Sequence, residues 1–153
     1  MCKFIPNFLS RDSIWILSIL GLLFIVSDLS YAQPKPEKSK FTAVVTDGQG
    51  VETELKHVIF YWEEKLSETS FVPHELVYIP VKQGNATVNV KFEKIKQVDV
   101  KPGVDKGLPH VTITLANGKT GDFILSVPGT FKGETDFGEV ELPAQGLKKV
   151  VFK

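Results

Sequence analysis

Apolar side chains recur at every second position through most of this chain, and that alternation constrains its fold more than any other feature. Phe41, Ala43 and Val45 alternate with Thr42, Val44 and Thr46. Val88, Val90 and Phe92 alternate with Asn89 and Lys91, and Val98 and Val100 with Gln97, Asp99 and Lys101. Val111, Ile113 and Leu115 alternate with Thr112 and Thr114; Val140 with Leu142 and Val150 with Phe152 continue the pattern to the end. Successive side chains of a strand point to opposite faces, so each run is a strand with one face buried. Asp47-Gly48 and Asn117-Gly118 are hairpin signals between runs. The expected fold is all-β: a β-sandwich, or two small packed β-barrel-like units. "VIFYW" (58–62) and "LVYIPV" (76–81) are apolar on both faces, as strands in the middle of a core are. Pro80 places the second at an edge or a bulge. "WEEKLSETS" (62–70) is the one helical candidate, of one or two turns.

The alternation also repeats in order. Residues 41–48 align with 111–118 at an offset of 70, each ending in a turn dipeptide. Residues 84–100 align with 133–152 if short gaps are allowed, pairing Phe92 with Leu142 and Ile95 with Leu147. Strand, turn, strand, short break and closing strand follow in the same order, which predicts an internal duplication. The first copy carries about twenty extra residues in its middle. The pattern is Asn117-Gly118, then Gly133-Glu134-Thr135-Asp136-Phe137-Gly138, then Leu147-Lys148-Lys149-Val150-Val151-Phe152. It resembles one found in uncharacterised exported bacterial proteins, and it is similar to small Sm-like barrels in its short closing strand. The resemblance implies no activity and no site residues.

Residues 14–26, "IWILSILGLLFIV", are apolar, with Lys3 and Arg11 ahead and the small residues Ser30 and Ala32 behind. That is the layout of a secretory signal peptide, cleaved after Ala32. The run is short for a spanning helix, so a membrane contact is expected only through 14–26, and only if they are retained. The expected organisation is signal peptide 1–32, linker 33–40, first β unit 41–100 with an aromatic insert at 56–80, connector 101–109 and second β unit 110–153. The expected location is periplasmic or secreted. Beyond residue 32 the chain has no cysteine and sixteen residues of each charge. Disulfides, thiol chemistry and a basic footprint for nucleic acid are thereby excluded.

No motif for catalysis is present, and the chain is read as a non-enzyme without a cofactor. His57, His74 and His110 have no metal-ligand spacing, so no metal site is expected. Glu63 and Glu64 could suggest an acid/base pair, but neighbours on a strand face opposite ways. No serine lies in a nucleophile elbow. What remains is the aromatic insert, where Tyr61, Trp62, Phe71 and His74 are the candidate binding residues. The expected function is an envelope module that is structural or binds a partner protein. The alternative is a small-ligand or carbohydrate-binding domain using the insert, with a glycan as the partner.

Overall fold

The computed structural model describes residues 37–103 and 107–153. The signal peptide expected at 1–32, with its apolar run 14–26, the first half of the linker and the middle of the connector lie outside the described residues. Among the described residues eleven strands follow in chain order: β1 (Thr42–Asp47), β2 (Glu52–Lys65), β3 (Phe71–Leu76), β4 (Tyr78–Gln83), β5 (Ala86–Lys91), β6 (Ile95–Lys101), β7 (His110–Leu115), β8 (Thr120–Leu125), β9 (Thr130–Thr135), β10 (Gly138–Pro143) and β11 (Leu147–Phe152). Single 3₁₀ turns, Phe92–Lys94 and Ala144–Gly146, precede β6 and β11. Among the described residues no helix is long and apolar enough to cross a membrane.

All strands join one antiparallel sheet in the order β10-β9-β2-β1-β11-β6-β7-β8-β4-β5, with β3 attached to β2. The path ends at β10 and β5 without closing, so no barrel closes and the fold is all-β, consistent with a sandwich. The predicted alternation is what builds the core. Ala43 and Val45 of β1, Val98 of β6, Ile113 of β7 and Val150 of β11 are buried while their neighbours are not. Phe92 is seated between Phe41 and Phe152, with centroids 5.6 and 4.7 Å away, and Phe60 meets Phe131 edge-on at 5.4 Å. Burial of each such ring stabilises the fold by about 2–3 kcal/mol.

The register is internally repeated. Pairs run from Tyr78↔Lys91 to Gln83↔Ala86 in β4–β5, and from Thr130↔Pro143 to Thr135↔Gly138 in β9–β10, every position displaced by 52 residues. Phe92 N–H donates to Val77 O and Ala144 N–H to Gly129 O at the same displacement. The gaps expected between 84–100 and 133–152 are therefore not needed. Phe92 corresponds to the small buried Ala144, not to Leu142. Likewise β1 and its turn correspond to β7 at a displacement of 68, not 70. Asp47 N–H donates to Val51 O as Leu115 N–H donates to Lys119 O. Gly50 (φ 85°) and Gly118 (φ 87°) hold the left-handed position of the two turns.

Space is shared out differently from sequence. β10, β9, β2, β1 and β11 form one five-stranded half; β5, β4, β8, β7 and β6 form the other in matching order. The halves meet where β11 pairs β6, and Val150↔Val98, at the centre of that ladder, are themselves equivalent positions. The first half thus combines strands from both ends of the chain, whereas the second is the continuous run β4–β8 between them.

Three local expectations are corrected. "WEEKLSETS" forms no helix: 62–65 finish β2, and 66–70 turn into β3. "LVYIPV" is broken at Val77, between β3 and β4. Pro80 lies on neither an edge strand nor a bulge, because β4 runs between β8 and β5. Its missing N–H is tolerated because the β8 ladder covers only Val81 and Lys82, and Pro80 O still accepts from Ser126 N–H at 3.0 Å.

Candidate functional site

The largest difference between the halves is an arm. In one half, β8 passes to β9 through residues 126–129; in the other, β2 runs on past the sheet and returns as β3. A bulge starts the divergence. Lys56 pairs Glu134 but Ile59 pairs Lys132, so β2 carries one extra residue. His57 takes it up at φ 55°, a left-handed conformation in which a non-glycine residue is strained. Its Nδ1–H donates to Ser39 O at 2.6 Å, and Nε2 lies 4.0 Å from Glu134. Lys38 pairs with the same Glu134, and that hydrogen bond holds its carboxyl below the usual range. These contacts tie down the segment entering β1.

Cross-strand pairing sorts the arm's side chains. Trp62 faces His74, and the rings stack at 4.6 Å and 11°. His74 Nε2 is 3.1 Å from Glu64 on the same face. Tyr61 and Phe71 alternate onto the opposite face. Lys132 Nζ sits 3.5 Å above the Tyr61 ring, and the Tyr61 hydroxyl donates to Glu63 at 2.5 Å. That bond, then desolvation and the nearby carboxylates, pushes the Tyr61 hydroxyl up to about 12. The four candidate residues therefore lie on two opposite faces and not on one surface: Trp62 and His74 touch, while Tyr61, opposite Glu75, and Phe71, opposite Lys65, stand apart on the other face. Tyr61 and Trp62 are half-buried, whereas Leu66 (62 % exposed) and Phe71 (52 %) stand out at the arm's tip. Glu63 and Glu64 turn to opposite faces.

His57, His74 and His110 occupy the bulge, the arm and the start of β7. Among the described residues no three His, Asp or Glu side chains gather as a metal would require.

The G-x-T-x-x-G stretch 133–138 proves to be structural. A Cβ on Gly133 would lie 2.7 Å from Leu55 Cβ, Thr135 Oγ1 accepts from Phe137 N–H and donates to Gly138 O, and Gly138 has φ 134°. Each glycine is needed by backbone or packing, so the motif marks a fold and not a site.

A second feature was not anticipated from the sequence. A cleft of about 310 Å³ opens among β5, β7 and β8, with an apolar floor including Val88, Val90, Ile113, Leu115 and Phe123. Lys91, Lys94 and Lys119 border it. None of Tyr61, Trp62, Phe71 or His74 lines it. The legible trace is Gly121, a gap in the side-chain pattern of β8, over which the Phe123 ring folds.

Fold and surfaces together define an all-β protein with one open antiparallel sheet, a projecting arm and a basic-rimmed cleft. Residues 37–153 match the protein family described as "Uncharacterised protein", and the chain belongs to that family. No curated protein and no solved structure matches it.

Proposed function

We propose that this chain is an exported, non-enzymatic module of the bacterial envelope that binds a protein partner through the β2–β3 arm. The observation that carries the reading is the edge of β3, which among the described residues pairs β2 on one side only. An unpaired strand edge offers main-chain donors and acceptors to an added strand, while flanking side chains select it. Leu66 and Phe71 supply exposed apolar contacts beside that edge. The arm, 60–76, carries Glu63, Glu64, Glu68 and Glu75 against Lys65 alone. A second copy's β3 would meet like charge, so the partner strand is basic. Export rests on the layout of residues 1–32. A duplicated origin is supported by the registers repeated at constant displacement.

A sugar platform is less well supported, because Tyr61 is capped by Lys132 and the aromatic residues do not converge. Photo-crosslinking from position 71 in envelope extract, with position 148 as control, tests the proposal. One recurrent partner crosslinked from 71 but not from 148 is expected. Capture of the same protein by a variant with a shortened arm would rule the arm out.

A further inference from the structure

The cleft carries an inference independent of the arm. We propose that it binds a small amphipathic carboxylate, of the medium-chain fatty-acid class, with its chain on the apolar floor and its head among Lys91, Lys94 and Lys119.

Shape comes first. A cleft of about 310 Å³ falls at the lower end of the volumes that small-molecule sites occupy, and an apolar lining with a few polar groups at one end is their usual form. It has room for a single short chain and not for the paired acyl chains of a phospholipid.

Charge comes second. The lysines come from three separate elements: the end of β5, the 3₁₀ turn and the β7–β8 turn. None is in an ion pair with another of the described residues, so all three ammonium groups there are without a carboxylate partner among them. An ammonium beside an apolar wall keeps its charge in water while its stem lies on the wall. Three such groups lining one cleft favour an anionic head.

The third observation is the other half of the sheet, which acts as an internal control. At the displacements set by the registers, Lys91, Lys94 and Lys119 correspond to Pro143, Gly146 and Val51, while Asn89 and Thr120 correspond to Glu141 and Glu52. Gly121 and Phe123 correspond to Thr53 and Leu55, and Leu55 is fully buried where Phe123 is only half so. The same backbone therefore carries three lysines beside an open cleft once and, at the matching positions, no lysine, two glutamates and a fully buried leucine once. Packing needs alone would not place both the opening and the lysines in one half.

Methyl NMR on the chain 37–153 tests this, with decanoate as probe and decan-1-ol as its uncharged counterpart. Decanoate is expected to shift the Val88, Val90, Ile113 and Leu115 methyls saturably. Replacing all three lysines by glutamine is expected to weaken it about tenfold, as three exposed ion contacts would, with decanol affinity unchanged. Val88→Phe should reduce both probes. The proposal is overturned if decanoate causes no saturable shift at these methyls. It is also overturned if the glutamine variant binds decanoate as the native chain does. Sedimentation with anionic phospholipid vesicles, without binding of free decanoate, would mean a membrane surface instead. Shifts that arise on concentrating the protein alone, and vanish when the arm is shortened, would mean that a second copy's acidic arm fills the cleft.

Discussion

Gly129 shows how closely single positions are specified. A Cβ there would lie 1.9 Å from the ring of Phe60, which is fully buried against Phe131. Gly129→Ala must displace that ring and is expected to cost about 1–3 kcal/mol by urea unfolding. Gly146→Ala meets nothing within 4 Å and should change stability far less. Tyr61 offers a second measurement. Its hydroxyl is pushed up to about 12 chiefly because the neutral phenol donates to Glu63. A raised folded value means that its contribution is complete below the ordinary pH of about 10 and is lost as pH rises through about 12. Glu63→Gln should bring the titration back toward 10, read by alkaline absorbance with Tyr61→Phe identifying the signal.

The arm can be separated from the sheet that carries it. No residue from Glu63 to Pro73 is buried, and Trp62 pairs directly with His74. Replacing 63–73 by Asn-Gly, a turn suited to a two-residue hairpin, should leave the melting temperature nearly unchanged while abolishing co-purification of the partner that position 71 crosslinks in the native chain. Calorimetry checks the first half of that statement; a large drop in melting temperature would show that the arm supports the core. The same element marks where sequence reading stops. Strands with one dry face betray themselves by alternation, as β1 and β7 do, but an arm wet on both sides has no such period. Hence 62–70 resembled a short helix. The turn before β2 lies where Asp47-Gly48 signals it, between the antiparallel β1 and β2, but its detail was not legible: Gly50 holds the positive φ while Asp47 accepts from Gln49 and Val51 N–H. Ala144 hides an entire register, because a buried alanine gives none of the hydrophobic signal of its counterpart Phe92. The lysines around the cleft were illegible because only the fold brings 91, 94 and 119 together.

Across the molecule, neither of the two units expected from the sequence, 41–100 and 110–153, completes a half alone. β1 and β2 need β9 and β11, and β8 needs β4. Fragments 37–102 and 108–153 should therefore be unfolded singly and regain the β-sheet circular dichroism of the intact chain when mixed. An independently folded fragment would contradict this division of strands. The long sequence separations of these pairings also predict slow folding, since distant segments must close before their contacts form. The β1–β11 ladder carries this furthest: Ala43 pairs Phe152, and Thr42 O accepts from Lys153 N–H. β1 thus has one edge reserved for a strand that lies more than one hundred residues further along the chain. Until β11 has been made, that edge has no native neighbour, and the sheet cannot be finished on the nascent chain.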